Sequence, residues 1–197
     1  MRLLGLSGLG VAAVAAGVAA AGGGTRVGGG HQPEGTPMKT AKAPAAGPVY
    51  SRSGYDVTSL SEVRIAELAK RLKPDEANVI LAKGTEPAFC GTLTDNKKEG
   101  TYICRLCGLP LFSSSAKFDS GTGWPSFFQP FDPAHIREQQ DVALGMVRTE
   151  ILCARCTAHL GHVFDDGPQQ TGLRYCLNSV SLNFVERGKD LPPASRR

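Results

Sequence analysis

Val63, Leu68 and Leu72, with Ile65 beside them, set an apolar stripe along an otherwise charged segment. That spacing predicts a helix running up to Lys73. Ser59-Leu60-Ser61-Glu62 stands ahead of it as a capping box, with Ser59 bonding the first turn and Glu62 reaching back. Pro74 suits the first turn of a second, short helix, which Gly84 can end. Beyond Gly84 the helical signals fade. Short runs rich in β-branched and aromatic residues take over, at Gly100–Cys104, Val142–Leu152 and Arg174–Val185. Dipeptides such as Asp166-Gly167 and Gly167-Pro168 mark turns. The expectation is a mainly β (α+β) domain, antiparallel, with two N-terminal helices packed against it.

The ends of the chain do not share this patterning. One early Arg precedes an apolar stretch from Leu3 to Ala21, which closes on the small residues Ala19, Ala20 and Ala21. Charge, apolar segment and small residues in that order read as a secretory signal peptide, residues 1–21, and hence as export to the periplasm or the exterior. An organellar transit peptide is a rival reading, although such peptides are richer in Arg and Ser. An uncleaved membrane tether is another, although the many glycines and alanines make the stretch weakly hydrophobic. Residues 22–55 are rich in Gly, Pro and Ala and read as a disordered linker, because they bury too little to offset their ordering entropy. The folded domain is then expected over 56–186, and 187–197 as a frayed polar tail. The 197 residues carry a net charge of +4, with the basic residues scattered and forming no run. A nucleic-acid partner is therefore not expected.

The six cysteines sort into classes. Cys104-Arg-Leu-Cys107 and Cys153-Ala-Arg-Cys156 are two C-x-x-C pairs far apart in sequence. Such a pair brings two thiolates to one ion, and two pairs complete a tetrahedral all-sulfur shell, the pattern of a structural zinc. Gly108 gives the first pair's turn its freedom. Two disulfides are a rival reading in an exported protein, although a C-x-x-C disulfide closes a very short loop. Iron is another, since it also accepts four thiolates. A shell closed by four cysteines has no open position, so the chemistry should lie elsewhere.

Cys90 and Cys176 remain. Read as one strand, Arg174 to Phe184 puts Arg174, Cys176 and Asn178 on the same face as Val180, Leu182 and Phe184. Arg174 can favour the Cys176 thiolate, and Asn178 can donate a hydrogen bond to a bound oxygen. A buried inert thiol is the commoner fate of a strand cysteine, but polar neighbours on its face count against it. His159 and His162, three residues apart after the second C-x-x-C pair, suit proton transfer near neutral pH. Trp124, the only tryptophan, lies in a glycine-rich loop and can wall an apolar pocket.

Gly-Thr-Glu-Pro (84–87), Ser-Gly-Thr-Gly-Trp-Pro-Ser (120–126), His-Leu-Gly-His-Val-Phe (159–164), Asp-Gly-Pro (166–168) and Arg-Tyr-Cys-Leu-Asn-Ser (174–179) closely resemble the methionine-R-sulfoxide reductases. The resemblance runs from about Ala77 to Phe184 and includes both C-x-x-C pairs. It implies two antiparallel sheets in a barrel-like arrangement with one structural zinc per chain. It implies Cys176 as the nucleophile on the sulfoxide sulfur, leaving a sulfenic acid. His159 and His162 would help protonate the oxygen through water, with Asn178 in the polar network. Trp124 would cap the S-methyl pocket, with Arg174 beside the substrate. Many family members carry a resolving cysteine where this chain has Thr122. Cys90 is the spare thiol, expected to form a disulfide with Cys176 that a thioredoxin-like donor reduces; direct reduction by an external thiol is the alternative. The substrate is oxidised methionine, free or in protein, and the chain is expected to act as a monomer. Two other readings stand beside the enzyme: a non-catalytic zinc-stabilised binding module, and a thiol–disulfide oxidoreductase working through its C-x-x-C pairs.

Overall fold

The computed structural model describes residues 47–142 and 145–192. The expected signal peptide, most of the expected linker and residues 193–197 lie outside them. Two helices come first, α1 (Glu62–Ala69) and α2 (Pro74–Ile80). Nine strands follow: β1 (Gly100–Cys104), β2 (Pro110–Ser113), β3 (Lys117–Phe118), β4 (Ser126–Phe127), β5 (Ile136–Asp141), β6 (Arg148–Cys153), β7 (His159–Phe164), β8 (Arg174–Leu177) and β9 (Leu182–Glu186). They form a three-stranded sheet, β2-β1-β9, and a six-stranded sheet, β3-β4-β8-β7-β6-β5. Every ladder is antiparallel. The expected class, mainly β with two antiparallel sheets and N-terminal helices, holds. The sheets stay open and do not close into one barrel, with β2, β9, β3 and β5 at their edges.

What joins the sheets is aromatic. Tyr102 on β1 and Phe112 on β2 belong to the small sheet, Phe127 on β4 and Tyr175 on β8 to the large one, and all four are buried. Phe112 stacks on Phe127 with centroids 4.7 Å apart, and Tyr102 meets the same ring edge-on at 4.9 Å. Each such pair contributes about 0.5–1.5 kcal/mol beyond the area it buries.

Several expectations about element ends need correction. The N-cap of α1 is Ser61, not Ser59, and accepts the Arg64 N–H at 3.3 Å. Ser59 Oγ instead accepts from Arg137 Nη2 at 2.6 Å. α1 stops at Ala69, short of Lys73, and the back-reaching Glu bond expected there belongs to α2, where Glu76 accepts the Lys73 N–H at 3.0 Å. Within the run Val142–Leu152, the described strand begins at Arg148. Its partner β5, sequence IREQQD, shows no apolar alternation because it is an edge strand with most of its residues exposed.

The run Arg174–Val185 is not one strand. It breaks at Asn178, passes through a 3-10 turn at Ser179–Ser181, and changes sheets from β8 to β9. Val180, Leu182 and Phe184 therefore do not extend the face that carries Cys176. Residues 47–55, assigned to the linker, also pack on the domain. Tyr55 is buried, the Ser53 N–H donates to Asp132 at 2.9 Å, and Ser51 Oγ meets the buried His135 at 2.8 Å. These hydroxyls carry no hydrophobic signal, yet they satisfy buried polar groups. At the other end Leu191 packs on the core and the Arg187 N–H donates to the Glu99 carbonyl, so the tail's first residues are ordered too.

Gly161 sits in β7 with φ +155°, and a Cβ there would run into the Cys176 carbonyl across the ladder. Gly161→Ala should destabilise the protein by about 1–3 kcal/mol through overpacking, measured as a lower denaturation midpoint at unchanged m-value.

Candidate active site and metal centre

The two C-x-x-C pairs converge. β1 ends at Cys104 and β6 at Cys153, so the strands that carry them belong to different sheets. The four Sγ atoms of Cys104, Cys107, Cys153 and Cys156 lie within 4.8 Å of one another. Cys104–Cys156 and Cys107–Cys153 are each 3.6 Å apart. A tetrahedron with metal–sulfur bonds of about 2.3 Å has edges of about 3.8 Å. A disulfide needs about 2.05 Å. The spacing therefore fits a metal ion and not two disulfides. Crowding by Cys107, Cys153 and Cys156, with burial, pushes the Cys104 thiol well above its ordinary value. Four thiolates can share this space only around a cation.

The two knuckles have one geometry. The Gly108 N–H donates to the Cys104 carbonyl and the Thr157 N–H to the Cys153 carbonyl, both at 2.9 Å. Gly108 and Thr157 follow the second cysteine of each pair and are left-handed, φ +77° and +57°. The expected freedom at Gly108 is thus used, and Thr157 takes the same conformation against its preference.

Cys176 lies in β8, between β4 and β7, opposite Ser126 on one side and His162 on the other. It opens on a cavity of about 180 Å³ lined by Thr85, Trp124, Arg148, Gly161, His162, Phe164, Leu177 and Asn178. Burial pushes the Cys176 thiol up, while Thr122, Arg174 and Ser126 pull it back. Thr122 Oγ1 stands 3.8 Å from the sulfur.

His159 and His162 would point to opposite faces of a regular strand, being three residues apart. A bulge corrects this: Ile151 pairs with Gly161 and Leu152 with His159, leaving Leu160 as the extra residue. The rings come to 5.5 Å and meet edge-on. Only His162 lines the cavity with Cys176; His159 lies behind it, 2% exposed. His162 Nε2 bonds Asp141 at 2.8 Å, and Arg148 bonds the same carboxylate oxygen at 2.7 Å. His159 Nδ1 bonds Glu150 at 2.7 Å. Burial lowers the affinity of His159 for a proton, against the pull of Glu150.

Glu86 organises the rest. Its carboxylate is buried and accepts the N–H groups of Ser179 at 2.5 Å and Val180 at 3.1 Å, just where the chain leaves β8. Its own N–H donates to Asn178 Oδ1 at 3.0 Å, and its carbonyl accepts the Trp124 indole N–H at 3.1 Å. Asn178 also donates to the Leu160 carbonyl at 3.3 Å. Both Asn178 and Trp124 are thus aimed by one residue to which the sequence reading gave no role. Arg148, Asp141 and Glu150 were missed as well. Arg148 and Glu150 stand at the start of β6 and Asp141 at the end of β5, and only strand pairing puts them beside a histidine.

Two candidates sit differently from expectation. Arg174 is turned to Asp166, with bonds of 2.8 Å from Nε and Nη2, and lies over the Phe164 ring at 4.4 Å. It does not line the cavity, so it supports the Phe164 wall and bears on the Cys176 charge. Cys90 is exposed and faces a separate cavity of about 460 Å³ on the other side of Glu86.

Compared with known proteins, residues 72–186 match the SelR domain family model. A peptide methionine sulfoxide reductase MsrB of Xylella fastidiosa (strain M23) is 56% identical over 143 residues, covering 73% of this chain and 92% of that protein. One of Caulobacter vibrioides (strain NA1000 / CB15N) is 52% identical over 147 residues, 75% of this chain and 92% of that protein. One of Acinetobacter baumannii (strain AYE) is 56% identical over 124 residues, 63% of this chain and 89% of that protein.

Alkylation of the native, metal-loaded protein should mark the exposed Cys90 first, the half-buried Cys176 more slowly and the other four slowest, with all six labelled after chelation and unfolding. The Cys176 rate should rise with pH through a midpoint above the ordinary thiol value, because burial disfavours the thiolate. Arg174→Met removes a favourable charge and should move that midpoint higher still.

Proposed function

This chain belongs to the methionine-R-sulfoxide reductase family, and from that premise we propose how its own residues carry out the reduction of methionine sulfoxide. The observation that carries the proposal is Cys176 in a cavity sized for one side chain, with His162 across the ladder and Trp124 as a wall.

The R sulfoxide enters with its S-methyl group against Trp124 and Phe164. Burial keeps Cys176 largely a thiol, so the proton the reaction needs is already at hand. His162 takes it as the sulfur attacks and returns it to the sulfoxide oxygen, with His159 behind it and Asn178 in the same polar network. Attack joins Cys176 Sγ to the sulfoxide sulfur. The protonated oxygen then passes to Sγ as that S–S bond and the substrate's S–O bond break. Thiol plus sulfoxide gives sulfenic acid plus methionine, so sulfur in the enzyme is oxidised as sulfur in the substrate is reduced. Asp141, itself bonded by Arg148, accepts the His162 Nε2–H, which leaves Nδ1 to exchange the proton.

Cys90 then condenses with the sulfenic acid, releasing water, and a thioredoxin-like dithiol reduces the disulfide. The two thiols face different cavities, so the loop carrying Cys90 must move. It is held by the Phe89 N–H on the Gly123 carbonyl at 2.8 Å and the Leu93 N–H on Ser179 Oγ at 3.4 Å. Phe89 is left-handed at φ +65°, a conformation that costs about 1–2 kcal/mol and favours release. Zinc is the proposed ion between the four cysteines. It closes its own shell and ties β1 to β6, taking no part in the chemistry. The exported location proposed for the domain rests on the order of charge, apolar stretch and small residues in 1–21.

With dithiothreitol as reductant, the protein should reduce the R epimer of methionine sulfoxide and not the S epimer, and Cys176→Ser should abolish turnover. Turnover of neither epimer by folded, metal-loaded protein would favour the binding-module reading. One turnover without reductant should yield a Cys90–Cys176 peptide by mass spectrometry; its absence would leave direct reduction by an external thiol. Atomic absorption should find one zinc per chain, and iron would overturn that assignment.

A further inference from the structure

Lys83 and Glu150 have no part in the steps above, yet they continue the histidine pair to the surface. Lys83 Nζ bonds Glu150 Oε2 at 2.7 Å, Glu150 Oε1 bonds His159 Nδ1 at 2.7 Å, and the His159 ring meets His162 at 5.5 Å. Glu150 also pairs with His162 across the β6–β7 ladder. We propose that Lys83 and Glu150 are positioning residues for the reduction, fixing the tautomer and charge of His159 and, through it, the proton held by His162 beside Cys176.

An ionised carboxylate only accepts, so Glu150 requires the hydrogen of His159 on Nδ1. The lone pair of the neutral ring is then on Nε2, which is buried and has no protein partner. His159 is thereby poised as an uncharged neighbour of His162. If it took up a proton, it would repel the one on His162. Burial pushes the His159 ionisation down, Glu150 pulls it up, and His162 and Lys83 push it down. Lys83 thus offsets part of the pull of Glu150 from a side chain that is 52% exposed. Its backbone is left-handed, φ +59°, in the turn that ends α2, where the Gly84 N–H donates to the Asn78 carbonyl.

The groups bearing on His159 are Glu150 from β6, His162 from β7 itself and Lys83 from the segment after α2. On β8, the other strand paired with β7, Cys176 and Tyr175 lie opposite His162 and Val163, and Arg174 is turned to Asp166. Asp141 from β5 and Arg148 from β6 act on it through His162. On α2, which packs against β7, Asp75 is exposed and Glu76 is turned to Arg105. The 3-10 turn Ser179–Ser181 has no titratable side chain, and its Ser181 hydroxyl donates to the His159 carbonyl.

The proposal rests on the reductase reading of the histidine pair. Its test is a proton NMR titration of the histidine ring signals in the full, metal-loaded chain, assigned with His159→Asn. The pH dependence of kcat/KM for the R sulfoxide is measured alongside. Lys83→Met should move the His159 ionisation to higher pH and Glu150→Gln to lower pH. The activity profile should follow in the same two directions with KM unchanged, and Lys83→Arg should restore the wild-type curve. A purely structural ion pair would lower Tm in both variants while leaving the titration and profile in place, and that result would overturn the proposal. If the wild type reduced neither epimer, the proposal would fall with the reading it rests on. Opposite shifts in the NMR titration would then show that the relay exists and the reaction assignment is at fault.

Discussion

A buried carboxylate must find donors, and that of Glu86 finds them in the backbone where the chain passes from one sheet to the other. The Ser179 and Val180 N–H groups have no strand to pair with at that point. Glu86 satisfies them, and it thereby fixes where β8 ends. Its main chain, bonded to Asn178 and to the Trp124 indole, extends the same constraint to two walls of the Cys176 cavity. The polar floor and the apolar wall of the site therefore share one anchor. Losing it would loosen the strand switch and the pocket together.

The four cysteines solve a different problem at another place. β1 and β6 lie in different sheets, and their last residues are both cysteines of a shared cluster. An ion held there would tie the two strand ends together. Thr157 shows how strongly the geometry is imposed, since it adopts the left-handed turn that Gly108 adopts freely. The division of labour follows from coordination: four thiolates would leave an ion no open position, so the chemistry proposed for Cys176 lies apart from it.

At Cys176 opposing effects are balanced. Burial disfavours the thiolate, while Arg174, Thr122 and Ser126 favour it. Each histidine is tied to a carboxylate, and each carboxylate to a cation: His162 to Asp141 and Arg148, His159 to Glu150 and Lys83. The bulge at Leu160 is what lets two such arrangements meet on one face of β7.

The sequence by itself determined the class of fold, the sorting of six cysteines into four and two, and the segment that carries Cys176. These are carried by local spacing: C-x-x-C fixes how two sulfurs approach, and β-branched runs between turn residues make antiparallel strands. Local spacing failed where a long-range contact overrides it. Period two placed Arg174 to Phe184 on one strand, but the Glu86 carboxylate, some ninety residues away, ends that strand at Asn178. An i, i+3 spacing would have parted the two histidines, and only the pairing of β6 with β7 reveals the bulge that joins them. Lys83, Asp141, Arg148 and Glu150 look like ordinary surface charges in the sequence. Tertiary structure alone decides that their partners are buried, because a charge acquires its role from what the fold brings beside it.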